Sequence, residues 1–312
     1  IKSFQHHPHF KKELNEKALE NYLSFQYSPG PETFFKNVYK MPPAHYFRYQ
    51  NGKMEVTRYW LPTFNAEEDK SLDYWVDEIE KTFDDSVEAH KISDVEVGSF
   101  LSSGVDSSYV ACSAHVDKTF TVGFDNGTKY NEISYAQELS EQIPVKNISK
   151  IITPEEFWGN FPKIQYHMDE PLADPAAVAL YFVCNLASQH LKVVLSGEGA
   201  DEIFGGYNIY KEPLEMPWYD KIPFPIRRLI GNIAGMLPAH RGLNFLVRRG
   251  KRLEERFIGN AYMFTKKERQ AILNHTTGAP APEDLCKPYY DMVADKDPVT
   301  KMQFVDLNMW MV

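Results

Sequence analysis

Cysteine is nearly absent from this chain: Cys112, Cys184 and Cys286 are its only three in 312 residues. An odd and widely spaced set builds no disulfide framework. Cys112 and Cys184 fall in apolar helical patterns, so free, buried thiols in a reducing, cytoplasmic setting are expected. Long apolar runs are missing too. No stretch approaches the ~18 residues of a membrane-spanning helix, and no basic-then-apolar leader opens the sequence. Positive charge is also in deficit: the net charge is −9, which argues against nucleic acid as the main partner. One stretch runs the other way. Residues 226–256 hold Arg227, Arg228, Arg241, Arg248, Arg249, Lys251, Arg252 and Arg256 against Glu254 and Glu255, and a solvated helix face is expected there. His6, His7 and His9 have no cysteine or carboxylate at ligand spacing, so a solvated cluster is expected rather than a metal site. Repeats and low-complexity tracts are absent.

What remains is an ordinary globular composition, 43% hydrophobic and 14% aromatic, long enough for two domains or a large one with an appendage. The first residue is Ile1 and the last four are apolar, so both ends read as cut. Residues 10–22 have helical periodicity. Residues 46–49 and 54–57 flank Gln50-Asn51-Gly52-Lys53, and Asn-Gly between such runs predicts a hairpin. A helix and one hairpin cannot bury a core alone, so residues 1–60 read as the tail of a larger sheet domain. Residues 62–70 form a polar linker, and 72–87 an amphipathic helix. Strands at 97–101, 120–124, 148–152 and 192–196 then alternate with helices at 107–115, 132–141, from Pro154 onward and at 175–190. That rhythm predicts a parallel sheet with helices on both faces. From Trp218 the pattern turns helical and irregular.

Two loops carry the chemistry. The first is Ser102-Ser103-Gly104-Val105-Asp106-Ser107, directly after an apolar strand and before a helix. Small residues let backbone approach a ligand, and the N–H groups of such a turn favour an anion. It lacks the lysine of a Walker A loop and offers Asp106 instead, which suits a hard cation such as Mg²⁺ beside a phosphate. The plainer reading is a helix start capped by Asp106 or Ser107. The second is Ser196-Gly197-Glu198-Gly199-Ala200-Asp201-Glu202-Ile203-Phe204-Gly205-Gly206-Tyr207, again straight after a strand. Its glycines permit sharp turns at a strand's C-terminal end, where open parallel sheets bind ligands. Glu198 and Asp201 add acids for metal binding or proton transfer. The plainer alternative is an acidic turn with Asp201 and Glu202 in the first turn of a helix.

Together these loops closely resemble the synthetase half of glutamine-dependent asparagine synthetases, class II amidotransferases with a pyrophosphate-binding loop. Asp169-Glu170-Pro171, Asp174-Pro175 and Val122-Gly123 match the pattern. Pro42-Pro43-Ala44-His45, Asn51-Gly52 and Tyr59-Trp60 resemble the last part of the glutaminase domain and its exit strand. The resemblance implies an adenine nucleotide alpha hydrolase-like α/β domain over 61–312, cut short at its C-terminus, with a mostly helical C-terminal region. It also implies a small α+β remnant of the glutaminase domain over 1–60. ATP would bind with its adenine near Leu101, Val122 and Gly197 and its pyrophosphate on Ser102, Gly104 and Ser107, with Ser103, Asp106 and Ser196 also among the ATP-binding residues. Mg²⁺ would be held by Asp106 and Asp201, with Glu198 as the catalytic glutamate. Aspartate would be activated as β-aspartyl-AMP and converted by ammonia, normally drawn from glutamine, to asparagine. The intact protein could be a homodimer.

Three departures bear on this. Ser103 stands where the family commonly has glycine, tolerable if φ stays negative or the hydroxyl bonds locally. The family's N-terminal cysteine nucleophile is missing, as is the downstream lysine-bearing segment, so this chain is expected not to hydrolyse glutamine and its synthetase activity is in question. Three other readings stay open: a β-lactam synthetase-like ligase, a tRNA-modifying enzyme with the same loop, and a nucleotide-binding module without catalysis.

Overall fold

The computed structural model describes residues 1–65, 70–125, 131–238 and 240–311. Linker residues 66–69 lie outside that set. The chain divides into two compact units, Asn65–Ala200 and the combination of Ile1–Phe64 with Asp201–Val312.

The first unit is the expected parallel α/β layer. Strands β3 (Val97–Phe100), β4 (Lys118–Phe124), β5 (Lys146–Ile152) and β6 (Val193–Leu195) pair in the order β5-β4-β3-β6, all parallel. They alternate with α3 (Val105–Ala114), α4 (Ile133–Gln142), α5 (Pro154–His167) and α6 (Ala176–Ser188), and α2 (Leu72–His90) precedes them. The chain adds strands outward from β3 to β5 and then returns to the other side of β3 with β6. Right-handed crossovers therefore place α3 and α4 on one face and α6 on the other. On the α6 side Phe120 is fully buried against Val183, Ala187 and Leu191. On the opposite side Leu101 packs with Ala111 and Ala136. The reversal between β3 and β6 is a topological switch point, the crevice at which open sheets take ligands.

Helix α5 starts where the sequence says it should. Pro154 is its first residue, and Thr153 and Glu156 form a reciprocal capping box, which satisfies two amide donors that the helix itself cannot. Helix α6 overturns one expectation. Cys184 is exposed and Cys112 half-buried, and Cys286 is the buried thiol. On α6 the core-facing residues are Phe182, Val183 and Ala187, and Cys184 falls on the other side of the turn. An apolar neighbourhood in sequence did not specify the face.

The second unit explains how the lone N-terminal helix persists. Helix α1 (Glu16–Phe25) sends Phe25 into a core built by Tyr210, Phe257, Ile258, Cys286, Tyr290, Met302, Val305 and Met309. The last residues of that core belong to α14 (Pro298–Met309), and Cys286 and Tyr290 to α13 (Pro282–Met292). Strands β1 (His45–Gln50) and β2 (Lys53–Arg58) pair antiparallel. Asn51 and Gly52 both have positive φ, 52° and 75°, as the hairpin turn requires.

The basic stretch is only in part the solvated face that was expected: Arg228, Arg248, Lys251 and Arg252 are exposed, while others turn inward. Helix α10 (Arg241–Arg249) ends in an arginine only 2% exposed. Arg249 donates to the carbonyls of Glu212, Pro213 and Glu215 and pairs with Glu212 and Asp220. Arg256 donates to the same Glu212 carboxylate, while Arg227 pairs with Asp220 and Arg228 with Glu255. Arg227, Arg249 and Arg256 serve internal pairing. Among the described residues no helix is long and apolar enough to cross a membrane.

Candidate nucleotide site at the switch point

Strand β3 ends at Phe100, and Leu101 still bonds to the neighbouring strand β4. Leu101 N–H donates to the Phe120 carbonyl at 2.9 Å, and Thr121 Oγ1 donates to the Leu101 carbonyl at 2.7 Å. Ser102 and Ser107 then latch across the turn. Their hydroxyls lie 2.7 Å apart, and Ser107 Oγ accepts from Ser102 N–H at 3.1 Å. Gly104 N–H donates to Ser102 Oγ at 3.1 Å, and Ser107 and Ser108 hydroxyls donate to the Gly104 carbonyl at 3.2 and 2.8 Å. The loop is a closed ring of small hydroxyls.

This corrects the capping expectation. The N-cap of α3 is Gly104, with no side-chain cap, and Asp106 lies in the first helical turn. The helix's own ladder begins with Ser108 N–H on the Gly104 carbonyl. The amides of residues 105–107 lie outside that ladder, at the positive end of the helix. The hydroxyls of Asp106's neighbours are spent on shaping the loop, and Asp106 itself is exposed. Ser103 is exposed and is not among the residues with positive φ, which meets the condition set for a side chain there.

Strands β3 and β6 are level at their C-terminal ends, with Ser99 opposite Leu195 and Ser99 Oγ donating to the Leu195 carbonyl at 3.4 Å. The chain leaving β6 consequently runs beside the first loop. Gly197 abuts it so closely that an added Cβ would lie 2.7 Å from Ser107 N and 2.8 Å from the Asp106 carbonyl carbon. Ser196 and Glu198, on either side, are exposed, and Gly199 takes a φ of 93°, a conformation that favours glycine. Ser102, Ser107, Asp106, Ser196, Gly197 and Glu198 are thus gathered at the switch point. Leu101 follows β3 directly, and Val122 lies in β4, packed with Phe120 and Ile152. Leu101 is 3% exposed with both backbone groups engaged, so it can offer a base only van der Waals surface.

Asp201 belongs to the other unit. It sits in the first turn of α7 (Ala200–Phe204), together with Glu202. Gly206 N–H donates to the Asp201 carbonyl at 2.9 Å, and an added Cβ on Gly206 would lie 2.0 Å from Asp201 Oδ1. The bare Gly206 therefore makes room for that carboxylate. Glu202 is 2% exposed and accepts from Tyr207 Oη at 2.8 Å. Burial, and then the bond to Glu202, push the Tyr207 phenol well above its usual range. Two residues that sequence reasoning missed meet this segment from α14. Gln303 donates to its backbone. Asp306, fully buried, accepts from Tyr210 Oη at 2.6 Å and from Asn260 N–H at 3.0 Å. Burial pushes the Asp306 carboxyl up to about 6 against the opposing pull of those two bonds. No local pattern marks either residue, since their partners lie far away along the chain.

A hydroxyl-rich loop thus stands at the switch point of a parallel α/β sheet, the place at which such folds bind ligands. The sequence matches the asparagine synthase family over residues 78–312 and a glutamine amidotransferase domain over residues 1–60. This chain belongs to the asparagine synthase family. It is 40% identical over 308 residues to the glutamine-hydrolysing asparagine synthetase 1 of Bacillus subtilis, covering 96% of this chain and 48% of that protein. It is 39% identical over 313 residues to a protein provisionally named as a glutamine-hydrolysing asparagine synthetase in Mycobacterium bovis, covering 97% of this chain and 48% of the other. The chain spans about half the length of the curated relatives it matches.

Proposed function

We propose that this chain carries the synthetase chemistry of asparagine formation. ATP activates the side-chain carboxylate of aspartate as β-aspartyl-AMP with release of pyrophosphate. Ammonia, drawn from glutamine, then displaces AMP to give asparagine. Residues 61–312 form the synthetase domain in this reading, and residues 1–60 the last part of the glutaminase domain. The compartment assigned is the cytoplasm. The observation that carries the proposal is the abutment of Gly197 on the Asp106–Ser107 backbone at the switch point.

The chemistry follows from the parts. Ser102, Ser103, Gly104 and Ser107 border the turn that carries the amides of residues 105–107, which would stabilise negative charge developing on departing pyrophosphate. Activation splits a difficult amidation into two easier displacements. Ser196, Gly197, Leu101 and Val122 are assigned to the adenosine end. Asp106 and Asp201 are the metal carboxylates. Two carboxylates completed by phosphate oxygens would suit a hard ion such as Mg²⁺, although among the described residues no group of three or more His, Cys, Asp or Glu is placed to hold a metal. Bound there, Mg²⁺ would neutralise polyphosphate charge. Glu198, exposed between two glycines, is the catalytic acid–base group.

Aspartate-dependent exchange of pyrophosphate into ATP tests this in the intact protein. Glu198→Gln and Asp106→Asn are each expected to lower exchange by about 100-fold or more, the scale of losing one preorganised charge at a reacting centre. Normal exchange in both variants would refute the assignments. Gly206→Ala is expected to raise the Mg²⁺ concentration for half-maximal exchange by about tenfold, because its methyl group occupies the place of Asp201 Oδ1. An unchanged Mg²⁺ requirement there would show that the placement of Asp201 is irrelevant.

A further inference from the structure

We infer that Gln303 is a positioning residue for Asp201, acting through the backbone of α7. The inference rests on the proposed role of Asp201 as a Mg²⁺ carboxylate. Helix α7 has five residues, Ala200–Phe204, far below the length at which a helix holds itself in water. Its last carbonyls have no partners within so short a ladder. They find them on α14: Gln303 Nε2 donates to the Glu202 carbonyl at 2.9 Å and to the Ile203 carbonyl at 2.8 Å. A single amide group, 9% exposed, thus closes the end of the turn that carries Asp201.

The same face of α14 holds the segment a second time. Asp306 lies three residues beyond Gln303, one turn along that face. It accepts from Tyr210 of the 3-10 helix Asn208–Leu214, which comes directly after α7. Asp306 is itself fixed by Asn260 N–H, and Tyr207 ties this stretch back to the Glu202 side chain. Between the two anchor points lies Gly206, against which Asp201 Oδ1 rests. The position of the carboxylate is therefore set by α14, although neither Gln303 nor Asp306 bonds to Asp201. Gln303 completes the turn, and Asp306 anchors the 3-10 helix beyond it.

A role in positioning differs from a role in folding by what it changes. Gln303→Met removes the donor and keeps the length. Tyr210→Phe removes one hydroxyl and keeps the ring. In the intact protein, aspartate-dependent pyrophosphate exchange is measured against Mg²⁺ and against aspartate, with thermal midpoints alongside. The Mg²⁺ concentration for half-maximal exchange is expected to rise about tenfold in Gln303→Met and about threefold in Tyr210→Phe. The KM for aspartate should stay within about twofold of the parent. Equal changes in both constants, or a lowered midpoint with an unchanged Mg²⁺ requirement, would overturn the inference. Where Gln303→Met fails to fold, Tyr210→Phe decides on the same criterion. Asp201→Asn separates the two readings: an unchanged Mg²⁺ requirement in that variant removes the premise and the inference with it. A raised requirement in Asp201→Asn and none in Gln303→Met or Tyr210→Phe defeats the inference alone.

Discussion

Alanine at Gly197 is expected to abolish aspartate-dependent pyrophosphate exchange while leaving the protein folded. The added methyl carbon would stand 2.7 Å from Ser107 N, 2.8 Å from the Asp106 carbonyl carbon and 3.1 Å from Asp106 Cβ. Two of those atoms are backbone in the loop and first turn of α3, so no side-chain rotation relieves the clash. The loops must separate instead. Overpacking of this kind costs about 1–3 kcal/mol, which a domain of this size survives. Catalysis is less tolerant, because a displacement of about 1 Å in positioned groups costs on the order of 100-fold. Gly104→Ala is the matched control. Its methyl would meet only Ser102 Oγ, at 3.2 Å, and Gly104 already has a φ of −77° that alanine adopts readily. Calorimetric titration with ATP should therefore show binding lost in Gly197→Ala and largely kept in Gly104→Ala. Parent-like affinity in Gly197→Ala would mean that the two loops do not share a nucleotide.

The largest effect on stability is expected at Arg249. Its Nη2 donates to the Glu212 carbonyl at 2.7 Å, to the Pro213 carbonyl at 3.3 Å and to the Glu215 carbonyl. Nη1 reaches Asp220 Oδ2 at 3.1 Å, and Nε faces Glu212 Oε1 at 3.3 Å. Removing the cation from this site strands three carbonyls and weakens the pairing of a buried carboxylate. Breaking such a pair from one side costs about 3–5 kcal/mol. Arg256 stays beside Glu212, with Nη2 at 3.0 Å from Oε2, so Arg249→Met should fall near the lower end of that range. Denaturant unfolding measures it directly. Burial also shields the pair from salt, so the difference should persist as ionic strength rises. Lys287 and Asp291 give the contrast. Their side chains are 66% and 62% exposed, and removing Lys287 should change stability by less than about 1 kcal/mol. Comparable losses from the two substitutions would show that the Arg249 network contributes little beyond a surface pair.

Much of this was legible without coordinates because it is short-range. The alternation of apolar runs and amphipathic stretches specified parallel β-α units, and β3 to β6 fall within a few residues of where periodicity puts them. Asn51-Gly52 specified its own turn through the two positive φ angles it tolerates. The two loops announced themselves by small residues and acids directly after strands, and their spacing was enough to indicate the family. Each of these signals is carried by a short run of consecutive residues.

What the sequence left open depends on contacts between distant segments. Periodicity did not say that β6 returns to the free side of β3, and that choice alone creates the switch point and sets Gly197 against Ser107. Local composition suggested a solvated arginine face and a buried Cys184. The face each helix turns inward is decided by the partner it meets, and the packing buried Arg249 and exposed Cys184. Residue type likewise offered Asp106 or Ser107 as the cap of α3. The closed ring of hydroxyls from Ser102 to Ser107 moved the helix start to Gly104. Local propensities, worth fractions of a kcal/mol per residue, sufficed to choose the elements. The order in which they pack, and hence which polar groups are buried together, was settled by larger energies that exist only once the chain has folded.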